Sequence, residues 1–371
     1  MSQRIYIVGA GHIARRHAQA VTKLSVAEDF ELVVGARRPE ALAEFARLFP
    51  RAETCADIPA MLSAPVRDDD IVIVATPPAT HPRFAHLALR SGRHVLCEKP
   101  LALGAAEARE MLRAARECRR LLGCCSTRFI GSPAGLEAKR VVDSGLLGQL
   151  YHATFVNRRQ RNRAGFDDDP GLSWFRDPLE SGGGVVMDMA PYDFTTLNDL
   201  FAPVEVRVLS AWMSNPIAWS DIPGAADCDL EQHAGASLEY VLANGATMAV
   251  TYERAGCTHG PPRVIAEVEG SAGAVAWDWF DLDAREVSVT LSRDRGGRPE
   301  ATRTTYRNDG PLSYDDRPLA YFLDRIRGRE SPAAIDERAV FNFLCVRALY
   351  DCARTGRPLS VTIEEVAGED H

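Results

Sequence analysis

Three groups of residues have types and spacings that can do chemistry. Gly9-Ala10-Gly11-His12-Ile13-Ala14 fits GxGxxA directly after an apolar strand pattern and at the opening of a helix pattern. Gly9 permits the tight turn, and Gly11 lets a pyrophosphate approach the backbone. The helix N-terminus at His12 and Ile13 supplies N–H donors and a positive dipole. Alone the motif is no more than a helix-capping turn, but inside a βαβ frame it reads as a nucleotide site.

Glu98-Lys99-Pro100 follows the strand pattern His94–Cys97, at a carboxyl edge. A lysine there can orient a hydroxyl or carbonyl, helped by partial burial, or it is a surface lysine at a strand end; the tripeptide by itself favours the second. Asp188 and Tyr192 stand four apart, so on a helix they share a face and can both reach one substrate carbon. The alternative is that Asp188 caps the helix and Tyr192 packs. Pro191 fits the first turn of a helix that begins just after Asp188, where its missing N–H costs nothing.

The second strand of a nucleotide-binding βαβ unit usually ends on an acid that accepts the ribose 2′-hydroxyl of NAD. Here that place holds Ala36-Arg37-Arg38. Two guanidinium groups suit a 2′-phosphate better than a hydroxyl, so NADP(H) is expected over NAD(H), the alternative being a solvated basic pair before Pro39. Thr76-Pro77-Pro78 with His81 follows the strand Ile71–Ala75 and is expected to line the cofactor together with Glu98 and Lys99. In the first turn of a helix, His81 is more often a packing or capping residue than a base.

Arg128 and the run Arg158–Arg163 precede Trp174-Phe175 and a glycine run. Such donors suit sugars, sugar phosphates or sugar nucleotides, and Arg128, Arg161, Arg163 and Trp174 are the expected substrate contacts, against the alternative of solvated strand arginines. Asp227, Asp229, Glu231 and His233 form a ligand-like cluster, but in a turn before a strand such residues are usually solvated, and no metal is expected. Nine cysteines without a CxxC pair read as reduced thiols, and Cys97 reads as a small buried strand residue.

The elements that must position these groups alternate. Arg4–Gly9, Phe30–Arg37, Ile71–Ala75, His94–Cys97 and Leu121–Thr127 read as strands, separated by helix patterns at Gly11–Leu24, Pro39–Leu48, Thr80–Arg90 and Ala105–Arg120. Alternation of this kind predicts an α/β Rossmann domain, a doubly wound parallel sheet, over residues 1–128. Beyond it the pattern turns to period two around Asn244-Gly245, a hairpin signal, with further strands to Leu291. Residues 129–371 therefore read as an α+β domain with a large open, mostly antiparallel sheet for substrate binding and oligomerisation, closed by helices over about 318–355. Leu238, Tyr240, Met248, Val250 and Tyr252 can cover the open face, which predicts a homodimer or tetramer through that sheet.

The bulk numbers agree with two domains, since 371 residues exceed what one core usually supports. A net charge of −8 argues against a nucleic-acid partner. The apolar runs are too short to cross a bilayer, so no membrane association is expected. A strand pattern begins within four residues of the N-terminus, and Arg15-Arg16 lies inside a helix pattern with no apolar stretch behind it, so a cytoplasmic protein is expected.

The GxGxxA start, the Thr76-Pro77-Pro78 and His81 stretch and Glu98-Lys99-Pro100 together resemble the glucose-fructose oxidoreductase, inositol dehydrogenase and rhizopine-catabolism (Gfo/Idh/MocA) family. Gly182-Gly183-Gly184-Val185-Val186-Met187-Asp188 followed by Tyr192 resembles its second signature, GGGxxxDxxxH/Y, and the stretch from Ala320 to Pro358 its closing helices. The resemblance covers nearly the whole chain. It implies hydride transfer between nicotinamide and a sugar, polyol or related carbonyl, and often dimerisation through the open sheet. It assigns Lys99 to orient and polarise the reacting oxygen, with Lys99–Pro100 as a candidate cis peptide. Asp188 and Tyr192 take the places of the aspartate and the acid/base residue. Tyr192 stands where many members have His, as in the glucose-fructose oxidoreductase and dihydrodiol dehydrogenase branches, which tend to use NADP. Lys99 as a neighbouring cation is expected to lower the phenol pKa and make proton donation to an alkoxide possible. Two rivals are a cofactor-binding regulator of the same fold and an NAD-dependent glycoside-cleaving enzyme; retention of Lys99, Asp188 and Tyr192 argues against the first.

Overall fold

A computed structural model describes residues 3–25, 29–160, 174–216, 229–279 and 284–368. Arg161, Arg163 and Asp227 lie outside the described residues.

Short apolar runs build the first sheet. Ile71–Val74 is fully buried along its length, as expected of a strand covered by helices on both faces. The sheet places β1 (Gln3–Val8) between β2 (Phe30–Gly35) and β4 (Ile71–Val74), with β3 (Glu53–Cys55) outside β2. On the other side β5 (His94–Cys97) and β6 (Leu122–Cys124) follow β4 in parallel register. The strand order reverses between β1 and β4, so the loops after them, at Gly9 and at Thr76, open onto one crevice at the carboxyl edge.

The second sheet has nine strands: β7 (Leu150–Gln160), β8 (Glu205–Ser214), β9 (His233–Val241), β10 (Thr247–Thr258), β11 (Arg263–Gly270), β12 (Gly273–Trp277), β13 (Glu286–Arg295), β14 (Arg298–Arg307) and β16 (Leu359–Thr362). All neighbours run antiparallel except β7 and β10. The Asn244-Gly245 turn joins β9 to β10, with Gly245 at φ +81°.

The inner face of this sheet packs on two long helices, Val185–Phe201 and Asp336–Thr355. Leu238, Tyr240, Met248, Val250 and Tyr252 all lie on that inner face, no more than 1% exposed. Phe201 meets Tyr240 edge-on and Phe194 lies against Tyr252, with ring centroids 5.8 and 5.5 Å apart. These five side chains therefore do not cover the open face. Alternation puts Ser237, Glu239, Ala249, Thr251 and Glu253 there instead.

The closing segment is divided between the two sheets. Leu319, Phe322 and Leu323 of the helix Arg317–Ile326 enter the core beneath β1 and β4, and β15 (Ala334–Ile335) pairs antiparallel with β6. The chain returns to the first sheet before the helix Asp336–Thr355 goes back to the second, which a simple cut at residue 128 does not anticipate.

Candidate active site

The helix His12–Leu24 opens at Gly11 with no capping side chain and no acidic residue in its first turn. Its positive end therefore has no carboxylate of its own. A Cβ placed on Gly11 meets no atom within 4 Å, whereas at Gly9, held at φ +118°, it would lie 2.4 Å from the Ala75 carbonyl oxygen. The fold itself demands glycine at 9. At 11 the open space fits the approach of a dinucleotide pyrophosphate. Arg37 and Arg38 lie exposed just past β2.

At the adjoining strand ends, His81 is fully buried with Nδ1 2.8 Å from the Pro100 carbonyl oxygen and Nε2 2.8 Å from that of Thr76. Burial lowers its pKa and favours the neutral ring. The neutral ring has one N–H to donate, so His81 hydrogen-bonds one of these two carbonyls and lies against the other, between the Thr76 and Pro100 loops. Thr80 Oγ1 donates to the Pro77 carbonyl 2.9 Å away.

Lys99, joined to Pro100 by a cis peptide bond, reaches from the end of β5 across to the helix Val185–Phe201. Its Nζ donates to Asp188 Oδ1 at 2.6 Å and to the Asp188 carbonyl at 2.8 Å. The same ammonium stands 5.0 Å from the centre of the Tyr192 ring. The three residues singled out from sequence are thus brought together. Asp188 is not the cap of that helix. The helix begins three residues earlier, at Val185, and Pro191 lies inside it.

The Tyr192 phenol is raised, not lowered as expected. Burial pushes that group well above its ordinary value, Arg128 opposes the rise, and the Glu98 and Asp188 carboxylates add to it. The ammonium lies over the ring face, a cation–π position. Tyr192 therefore keeps its proton.

Arg128 is buried and ion-pairs with Glu98, and its Nη1 donates to Asp315 Oδ1 at 2.9 Å. Its charge is shared by two carboxylates. Glu98 also accepts from His17 Nε2 at 2.8 Å and from the Lys99 backbone N–H at 3.1 Å. Burial pushes the Glu98 carboxyl up, yet Arg128, His17 and Lys99 outweigh it and hold the group far below the carboxylate range. Asp315 further accepts from Arg16 at 2.8 Å, so the helix after the glycine loop, the end of β5 and the loop before Arg317 share one charge network. Glu98, His17 and Cys125 offer ligand atoms within 4.8 Å of one another, but Arg128 already pairs with that carboxylate.

Trp174 stacks on Phe175 with ring centroids 3.8 Å apart, and the following short helix, Pro178–Ser181, packs on the Pro78–Thr80 turn. Glu231 and His233 do not form a metal cluster. Glu231 binds the start of the helix Val185–Phe201, while His233 Nε2 donates to Glu253 at 2.5 Å. The eight described cysteines are free thiols, and burial keeps Cys97 protonated.

Sequence reasoning missed the pair beside Tyr192. Asp193 is fully buried, accepts from Arg254 Nε at 2.9 Å and from the Tyr252 hydroxyl at 2.8 Å, and Arg254 lies 5.3 Å from the Trp279 ring centre. The available signal was periodicity. Arg254 continues the inward series Met248, Val250, Tyr252, and a charge in such a series must find a buried partner.

A doubly wound sheet that carries an open glycine turn and Lys99 at its carboxyl edge, facing a carboxylate and a phenol on a helix of a second sheet domain, has the arrangement of a nicotinamide-dependent oxidoreductase. Residues 3–124 match the oxidoreductase family with an NAD-binding Rossmann fold, and residues 136–276 match the GFO/IDH/MocA C-terminal domain. The chain belongs to the Gfo/Idh/MocA family and is an NAD(P)-dependent dehydrogenase or reductase acting on CH–OH groups. It is 33% identical over 374 residues to D-glucoside 3-dehydrogenase of Escherichia coli (strain K12), covering 95% of this chain and 96% of that protein. With inositol 2-dehydrogenase of Rhizobium meliloti (strain 1021) it shares 27% identity over 309 residues, 80% of each chain. In fold it is similar to levoglucosan dehydrogenase in complex with NADH, with a TM-score of 0.77 at 20% identity, over 97% of this chain and 99% of that one.

Among the described residues, no helix is long and apolar enough to cross a membrane.

Proposed function

We propose that this chain is an NADP-preferring oxidoreductase of a hydroxylated, sugar-like or polyol substrate. The observation that carries the reading is the pair of hydrogen bonds from Lys99 to Asp188 beside Tyr192, at the carboxyl edge where the glycine turn also opens. When bound, the nicotinamide supplies the hydride exchange with the substrate carbon. Gly9, Gly11, the N–H groups of His12 and Ile13, and the Thr76-Pro77 loop hold the dinucleotide, with Arg37 and Arg38 on the 2′-phosphate. Asp188 orients the Lys99 ammonium, and Lys99 and the protonated Tyr192 hydroxyl donate to the substrate oxygen as negative charge develops on it.

Support for a sugar-like substrate comes from the relatives, which act on a D-glucoside and on inositol. The exposed guanidinium pair past β2 supports NADP. A homodimer or tetramer through the outer sheet face would rest on Leu209 and Trp212, the exposed apolar side chains of β8, and light scattering checks it. The free thiols favour a reducing, cytoplasmic setting.

The first test is separate titration with NADPH and NADH, followed by nicotinamide fluorescence, and then turnover of a methyl glucoside, levoglucosan and inositol with the oxidised cofactor. Tighter NADPH binding, reversed by Arg37→Asp with Arg38→Ala, is the expected result. Tighter NADH binding overturns the cofactor preference. Binding of neither overturns the assignment of the glycine turn and Arg37-Arg38 as the dinucleotide site.

A further inference from the structure

The helix that carries Asp188 and Tyr192 starts with no cap of its own. Its N-cap residue is Gly184, and the motif supplies only glycines before it. A helix leaves its first N–H groups without intrahelical partners, and buried ones must be satisfied from elsewhere. Here two residues far along the chain satisfy them. Glu231 Oε2 accepts from the Gly184 N–H at 2.8 Å, Glu231 Oε1 from the Val186 N–H at 3.0 Å, and the Glu231 backbone carbonyl from the Val185 N–H at 3.1 Å. The Tyr350 hydroxyl accepts from the Met187 N–H at 3.0 Å and donates to Glu231 Oε1 at 2.7 Å. The next N–H, that of Asp188, makes the first intrahelical bond, to the Gly184 carbonyl at 3.0 Å.

Two glycines of the motif are explained by the same contacts. A Cβ on Gly184 would lie 2.1 Å from the Glu231 carbonyl oxygen, and one on Gly183 would lie 2.1 Å from the Tyr350 hydroxyl. The glycine run makes room for the two residues that start the helix. This is also why the helix begins at Val185 and not just after Asp188, where the sequence alone places its start.

We infer that Glu231 and Tyr350 act as positioning residues for the proposed reaction, fixing the first turn of the helix so that Asp188 meets Lys99. The inference rests on the Lys99 and Asp188 assignment made above. Glu231 presents two acceptor oxygens to two N–H groups and a negative charge to the positive end of the helix. Its amide isostere presents one acceptor and an NH2 that faces an N–H, so the first turn loosens while the side-chain volume is unchanged.

The chain contains three lysines, Lys23, Lys99 and Lys139, which gives a test that needs neither substrate nor turnover. Holoprotein and apoprotein are labelled with acetic anhydride, and the rate at each lysine is read by mass spectrometry, with Lys23 and Lys139 as internal standards. Asp188→Asn is expected to raise Lys99 labelling by about tenfold as its charge-assisted bond is lost. Glu231→Gln should raise it several-fold, and in the Asp188→Asn background it should add nothing. A purely structural role would move all three lysines together or multiply with Asp188→Asn, and either result overturns the inference, as does unchanged Lys99 labelling. If Glu231→Gln does not fold, Tyr350→Phe enters the same cycle, because it removes only the Met187 acceptor and one bond to Glu231. A failed footprint leaves the dehydrogenase reading standing, and absent turnover with an intact footprint leaves the clamp standing.

Discussion

Lys99 and Asp188, 89 positions apart in sequence, are joined twice: the Lys99 ammonium donates to one carboxylate oxygen of Asp188 and to its backbone carbonyl. The first bond holds a charge and the second holds the position of the helix turn. Asp188 is thus both counter-ion and anchor, and the ammonium is left facing the Tyr192 ring.

Replacing the lysine should separate chemistry from binding. Lys99→Ala is expected to lower turnover by at least ~100-fold while NADPH affinity changes little, because the ammonium acts mainly as charge develops on the substrate oxygen. Steady-state rates with a methyl glucoside, alongside fluorescence titration, check this. Unchanged turnover would sink the assignment.

Gly11 and Gly9 should behave oppositely. Gly11→Ala is expected to leave stability within about 0.5 kcal/mol, since its Cβ meets nothing, yet weaken NADPH binding by at least ~tenfold. Gly9→Ala should destabilise the fold by about 3 kcal/mol or more, from a left-handed backbone and a clash with Ala75. Thermal denaturation with and without cofactor distinguishes the two.

Glu98 should matter most for stability near neutral pH. Its folded carboxyl is held low, so its contribution is present above the unfolded value of about 4.3 and is lost as the pH falls through the folded one. Glu98→Gln leaves Arg128 buried with Asp315 alone and is expected to cost about 3 kcal/mol at pH 7. Denaturant titrations should show the gap to wild type narrowing in acid. A pH-independent gap would mean that packing, not charge, is lost.

At the alkaline end the buried phenols should govern. Tyr192, Tyr240, Tyr252 and Tyr350 are all raised well above the ordinary phenol value, chiefly by burial. Groups raised on folding stabilise below their unfolded pKa and lose that contribution as the pH climbs past about 10. Phenolate absorbance should therefore appear in two phases, exposed tyrosines first and these four together with unfolding. Ionisation of all nine tyrosines in one phase before unfolding would contradict it.

The sequence by itself determined the first sheet and singled out the side chains that meet beside it. Each strand from β1 to β6 except β3 stands out as a short apolar run between helix patterns, and the glycine turn falls where that pattern puts it, while Lys99 and Asp188 with Tyr192 were singled out by the family resemblance. Local pattern could not decide which remote groups meet. The register that turns Leu238, Tyr240, Met248, Val250 and Tyr252 inward depends on helices that arrive later in the chain. The start of the Asp188 helix depends on Glu231, which reads in sequence as a solvated acid, and on Tyr350, which no sequence motif marks. The carboxylates that hold Arg128, Glu98 and Asp315, are likewise remote from it in sequence. The direction of the Tyr192 shift was decided in the same way. A charge or a phenol has its behaviour set by what surrounds it, and only the packed chain supplies the burial and the opposite charges that fix it.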